Sequence, residues 1–179
     1  CKEKDPFFAS VIVSDAEGKT PQLYAKGLRN SVALAIEPTS QELWGAENGR
    51  DLIGDDIPPE EVNVIKEGKD YGWPYCYGDK VPDTKFSDLA VTRCSQTEGM
   101  IYGLPAHNAP LGMAFVPENF KPEWKDDLVV GLHGSWNRST PDGYKVVRLD
   151  REGNTIKSME DLLSGFIVSS SAEGRPVDV

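Results

Sequence analysis

Apolar residues in this chain come in short runs that alternate with polar ones, and each run stops at Gly, Pro, Ser or Asp. FFASVIVSD, PQLYA, VALAIEP and ELWGAE, between Phe7 and Glu47, all have this form, and short apolar runs bounded in this way predict strands. VNVIKEG, GMAFVP, DLVVGLHG and YKVVRLD continue the pattern as far as Asp150. A helical period is nowhere sustained over several turns, and the best helix candidate is the short SMEDLLSGF from Ser158. The pattern predicts an all-β chain with long polar connections, a single partial domain over residues 1–179.

An internal repeat sharpens that expectation. LAIEP at Leu34–Pro38 returns as MAFVP at Met113–Pro117, and Asn30 returns as Asn108. LWGAENG at Leu43–Gly49 is matched loosely by LVVGLHG at Leu128–Gly134. Two copies of strand, turn, strand and polar tip predict blades of a β-propeller; a β-sandwich with a chance echo is the alternative. In a propeller the start of one inner strand and the end of the next both face a central pocket. Arg29 and Asn30 would then converge with the Asn48-Gly49-Arg50 tip on a ligand. The planar fork of an Arg suits a carboxylate- or quinone-bearing group. The plainer reading is that Arg29 and Asn30 hydrogen-bond a turn.

Charge and cysteines narrow the setting. The 179 residues carry 19 basic and 29 acidic side chains, a net charge of −10, which argues against nucleic acid or an anionic membrane as partner. There is no apolar run of the roughly 20 residues that span a bilayer and no signal-peptide pattern, so no transmembrane segment is expected. The chain opens CKEKD and stops at GRPVDV, where a strand is starting; we expect a piece of a longer protein. Cys76 and Cys94 bracket a loop rich in Asp, Pro, Lys and Thr without a periodic apolar face. A disulfide there would stabilise by about 3 kcal/mol and imply an oxidising compartment, periplasmic or secreted; two buried thiols are the alternative. Cys1 is left over, to be paired upstream or modified as the first residue of a lipoprotein.

GLRNSVALAIEP, ENGRDLIGDDIPPEEVNVIKEGKDYGWPYCYGD, PAHNAPLGMAF, LHGSWNRSTPDGYKVVRL and the terminal GRPVDV resemble, in order, the glucose/sorbosone dehydrogenase family of soluble pyrroloquinoline quinone-dependent sugar dehydrogenases. The resemblance implies a six-bladed β-propeller, usually exported, with quinone and Ca²⁺ in the axial cleft. About three to four blades would lie in this chain, and its open sheet edges would favour self-association or a contact with the missing part. The LRN motif implies that Arg29 and Asn30 contact the quinone. The ENG motif implies that Asn48 lies near it and that the carbonyls of Gly49 and Arg50 hold Ca²⁺. GRPVDV implies Arg175 as a further contact, although Val177 stands where many relatives have a second Arg.

Oxidising a sugar hydroxyl needs a base for the proton and a cofactor to accept the hydride, since no side chain can. Ca²⁺ prefers oxygen ligands and acts on a quinone oxygen as a Lewis acid. In the family the base resembles a His from an earlier blade, and nothing upstream of residue 27 matches that segment. His107 and His133 are possible cleft contacts; each is as readily an ordinary hydrogen-bonded His. The acidic string Asp51, Asp55, Asp56, Glu60, Glu61 reads as a structural Ca²⁺ site or a solvated loop. Tyr71 and Trp73 read as packing under the loop or as a stacking platform, and Trp136-Asn137-Arg138 as a cleft-facing loop. CxxC, GxGxxG and GxSxG are absent, so zinc, nucleotide and serine-hydrolase readings lack support. Two functions stand. One is a quinone-dependent oxidoreductase acting on an aldose, a sorbosone-like sugar or an aldehyde with an external electron acceptor. The other is a non-catalytic propeller that binds a protein or glycan.

Overall fold

The computed structural model describes residues 5–179, so Cys1 lies outside the described residues. Fourteen strands and one α-helix follow in order: β1 (Ser10–Val13), β2 (Gln22–Lys26), β3 (Ser31–Ile36), β4 (Leu43–Glu47), β5 (Glu60–Ile65), β6 (Cys76–Tyr77), β7 (Val81–Pro82) and α1 (Ser87–Cys94), then β8 (Tyr102–Leu104), β9 (Pro110–Phe115), β10 (Leu128–Leu132), β11 (Lys145–Glu152), β12 (Thr155–Leu163), β13 (Ile167–Val168) and β14 (Ser171–Ala172). Two four-stranded antiparallel sheets dominate, ordered β3-β4-β5-β8 and β9-β10-β11-β12. They are flanked by the β1-β2 hairpin, and β13-β14 forms another small hairpin. The architecture is all-β, as these bounded runs predict.

The helix expected from Ser158 is instead part of β12, which pairs antiparallel with β11 through Leu149↔Met159 and Asp150↔Ser158. The edge of β11 offers a row of backbone partners, and that demand overrides the weak helical preference of a short segment. Helix is found in the polar loop between Cys76 and Cys94, where α1 packs Ala90 and Cys94 with Cys76 in a small satellite core. The disulfide between Cys76 and Cys94 is formed, with Cα atoms 5.7 Å apart.

The two large sheets share one core. Trp44, Val62, Val64 and Leu104 of the first sheet meet Met113, Leu128, Val130, Leu132, Val147 and Leu149 of the second. Burying a side chain of this size contributes roughly 1.5–3 kcal/mol. Trp44 sets its ring edge-on to Phe115 at 5.5 Å, and the Arg151 guanidinium lies over both rings while pairing with Glu37 at 3.1 Å across the seam. Along β3 the small residues Ala33 and Ala35 face this seam. The larger Val32, Leu34 and Ile36 point the other way and are 49%, 45% and 53% exposed, an apolar ridge on the far face of the sheet.

The repeat seen in the sequence is realised in space. The Asn48 N–H donates to the Asn30 carbonyl at 3.1 Å, and at the matching register of the second sheet the His133 N–H donates to the Ala109 carbonyl at 3.0 Å. Each large sheet therefore closes the same ring of backbone between the entry of its first strand and the exit of its second. At the other flank residues 177–178 run so close to β9 that a Cβ on Gly112 would lie 2.4 Å from the Asp178 Cα.

Candidate functional site

The two strand exits and entries bring Arg29, Asn48, Gly49 and Arg50 to one end of the first sheet. Arg29 Nη1 donates to the carbonyls of Asn48 at 3.1 Å and Gly49 at 2.7 Å, and Nη2 pairs with Asp51 at 3.1 Å. Its guanidinium lies 5.6 Å from the centre of the half-buried Trp73 ring. A flexible cation is thus held in one pose by three acceptors and an aromatic wall, which reduces the ordering cost of meeting an anionic ligand. Arg50 turns away: Nη1 bonds the buried Asp83 at 2.6 Å, leaving the Arg50 carbonyl at the tip without its own side chain's charge beside it.

Asn48 and Asn30 take different parts. The buried Asn48 amide donates to the Asn30 carbonyl at 3.1 Å, within the first sheet, and to the Pro110 carbonyl at 3.4 Å, which ties the first sheet to the second. Asn30 contributes backbone to the tip while its side chain is exposed. Arg175 is not with Arg29. Its Nη1 donates to the Gly134 carbonyl at 3.1 Å, and it lies over Tyr144 at 4.8 Å, at the exit of the second sheet. His133 Nδ1 sits 3.1 Å from the Pro176 carbonyl, which places the N–H on Nδ1.

His107 is only 5% exposed. Nε2 lies 2.7 Å from the Gly54 carbonyl and therefore carries the proton, leaving Nδ1 to accept from the Asn137 amide at 3.3 Å. The same amide donates to Asp51 at 3.3 Å, so Arg29, Asp51, Asn137 and His107 form one chain of bonds across the seam. Arg138 continues it by donating to the Asp55 and Ala106 carbonyls and pairing with Asp56 at 3.0 Å. Ser139 donates to Asp55, and these bonds hold the Asp55 carboxyl below its usual range. The acidic string is thereby distributed between a loop-to-loop strap and the interior, and no three His, Cys, Asp or Glu side chains converge on an ion among the described residues. Tyr71 is packed: its hydroxyl donates to the Val64 carbonyl and accepts from the Lys66 N–H at 2.9 Å.

Three carboxyls beneath the tip are buried: Glu60 and Glu61, which the sequence offered as part of a Ca²⁺ site or a solvated loop, and Glu47, which it did not single out. Glu47 caps the Asn30 N–H at 2.7 Å and the Ser31 hydroxyl. Glu61, directly opposite it across the sheet, accepts from the Gly78 N–H at 2.6 Å and the Asn63 amide at 3.1 Å. Burial pushes both up to about 7. Glu60 is also raised by burial, against the pull of the Gly49 and Ala109 N–H groups. The available signal was polar residues inside otherwise apolar strand patterns, which marks a buried, partnered group.

A quinone bearing carboxylates fits this donor set: Arg29 is fixed, positive and part exposed beside an aromatic ring. A hard cation fits the tip as well. The Gly49 carbonyl has a second lone pair beyond the one Arg29 uses, and the Arg50 carbonyl accepts no hydrogen bond among the described residues.

Comparison with known proteins agrees with the fold. Residues 14–165 match the family described as TrAA12-like. An uncharacterised protein of Borreliella burgdorferi is 39% identical over 176 residues, covering 96% of this chain and 46% of its own. The aldose sugar dehydrogenase YliI of Escherichia coli is 31% identical over 120 residues, covering 64% of this chain and 29% of its own. Among solved structures, the holo form of the pyranose dehydrogenase PQQ domain from Coprinopsis cinerea superposes with a TM-score of 0.66 at 24% identity, covering 89% of this chain and 50% of that one. The chain belongs to the TrAA12-like family. It spans less than half the length of these two curated relatives.

Proposed function

We propose that this chain supplies the cofactor-holding part of a pyrroloquinoline quinone- and Ca²⁺-dependent sugar dehydrogenase built on a six-bladed propeller. The observation that carries the reading is the pose of Arg29, locked by the Asn48 and Gly49 carbonyls and Asp51 against Trp73. The quinone, when bound, supplies the hydride acceptor that no side chain can provide. Arg29 binds and orients the anionic face of the cofactor and stabilises negative charge that develops on it. Asp51 keeps the guanidinium in place, and Trp73 shields it from water. The Gly49 and Arg50 carbonyls hold the cation. Arg175 supplies a second positive contact from the far side of the cleft.

His107 has both ring nitrogens engaged and is not the proton acceptor for the sugar hydroxyl. An aldose or sorbosone-like hydroxyl or aldehyde is the substrate class, with an external electron acceptor. The formed disulfide supports an exported, oxidising location. The apolar ridge of Val32, Leu34 and Ile36 is the surface for a further sheet or a second copy, and sedimentation that shows a clean monomer at all concentrations counts against self-association.

A non-catalytic propeller is the second reading. It is favoured by Val177 at the position of an expected Arg and by the consumption of both Asn48 amide donors. Calorimetric titration of pyrroloquinoline quinone into the full-length protein, with and without Ca²⁺, separates the two. The first reading expects saturable, Ca²⁺-dependent binding that Arg29→Ala abolishes and Arg29→Lys weakens, because Lys keeps the charge and loses the fork. An absence of binding to the wild type refutes it.

A further inference from the structure

We propose that Glu60 is the positioning residue of the cleft, a single carboxylate that sets the Gly49 tip of the first large sheet against the Ala109 entry of the second. The inference rests on the cofactor reading above and adds to it the group that fixes the spacing of the site.

Glu60 is the first residue of β5 and is 3% exposed. Its Oε2 accepts from the Gly49 N–H, and its Oε1 accepts from the Ala109 N–H at 3.1 Å. Each of these donors belongs to a planar peptide whose other end is also tied. The Asn48–Gly49 peptide gives its N–H to Glu60 and its carbonyl to Arg29. The Asn108–Ala109 peptide gives its N–H to Glu60 and its carbonyl to the Gly134 N–H at 2.9 Å. One side chain therefore orients two peptide planes from opposite sides of the seam. One of them sits under Arg29 and the Gly49 carbonyl; the other follows directly on His107.

Two further features require such a tie. His107 and Ala109 hold φ values of +64° and +52°, a left-handed backbone that non-glycine residues adopt at a cost of order 1 kcal/mol or more and keep only where surrounding bonds enforce it. A Cβ on Gly49 would lie 2.8 Å from Pro58 Cγ and 3.0 Å from the Pro59 carbonyl, so the tip lies directly on the segment that delivers Glu60. Asp at position 60 is one methylene too short to reach both donors. Gln keeps the shape but turns an N–H₂ toward one of two backbone N–H groups, so one of them loses its acceptor.

The test is Glu60→Gln and Glu60→Asp in the full-length protein, read by amide hydrogen exchange without ligand and by Ca²⁺-dependent pyrroloquinoline quinone binding. We expect the Gly49 or Ala109 amide to lose protection by about ten-fold or more while Val62 and Val130 amides stay as in the wild type. Ca²⁺ and quinone affinity should fall about 10- to 100-fold, the usual loss when a group that orients a ligand is removed. If Glu60→Gln does not fold, Glu60→Asp is judged by the same two readouts. A wild type that binds and variants that bind equally well overturn the role of Glu60 and leave the cofactor reading standing. Weakened binding with Gly49 and Ala109 protection unchanged overturns the positioning mechanism. A wild type that does not bind overturns the cofactor reading, and the role of Glu60 with it.

Discussion

Replacing Glu61 by Gln tests the buried acid pair under the tip. Burial is the main cause that raises Glu61 from 4.5 to about 7, with the charge of Glu60 adding to it. A carboxyl that keeps its proton to about pH 7 in the folded chain, and only to 4.5 when exposed, takes up protons on folding between those values. Its contribution to stability is whole below the lower value and is lost as pH rises through the upper one. That difference corresponds to about 3 kcal/mol. The Gln variant has no such proton to lose. It still accepts from the Gly78 N–H, and its N–H₂ meets Asn63, whose own Oδ1 is buried without a partner and can turn to receive it. Glu47 lies directly opposite, and the Glu61 charge adds to the burial that raises it, so removing that charge also lowers Glu47. Chemical denaturation of wild type and variant should therefore show the variant gaining on the wild type between about pH 5 and about pH 8, by up to about 3 kcal/mol. A stability difference that stays flat across that range refutes the reasoning.

Reduction of Cys76–Cys94, or Cys94→Ser, frees the loop between them and should cost about 3 kcal/mol; thermal melts with and without reductant that coincide would contradict it. Arg151→Met removes the ion-pair partner of the Glu37 carboxylate, which keeps the Thr39 and Ser40 N–H donors, and should destabilise by about 1–3 kcal/mol. A double-mutant cycle with Glu37→Gln checks this: the double variant should be more stable than the sum of the two single losses implies, and strict additivity would show the pair to be uncoupled.

Local pattern was enough for the strands. The short apolar runs of β3, β4, β9, β10 and β11 stand where the residues that bound them put them, because a strand and the Gly, Pro, Ser or Asp that ends it are neighbours in the chain. The repeated LAIEP and MAFVP likewise announced two equivalent units, and the Cys76–Cys94 pairing was legible from the loop it closes. Segment 158–166 was misleading although its partner is local: β11 ends at Glu152 and β12 starts at Thr155, and the Gly153-Asn154 turn that joins them is the hairpin signal that outweighs a weak helical preference.

The site divided in the same way. The motif residues Arg29, Asn48, Gly49 and Arg50 were visible as residues, but their roles were not. Arg29 is held by a carboxylate 22 positions away, Asn48 by a carbonyl 62 away and His107 by a carbonyl 53 away. Hydrogen bonds of that sequence separation leave no periodic trace. The sequence by itself determined the strands, the repeat and the identity of the polar tip. Only the tertiary structure decided which acids are buried, which donors are already spent and that Glu60 spans the seam, because burial and hydrogen-bond partnership arise when distant segments exclude water together.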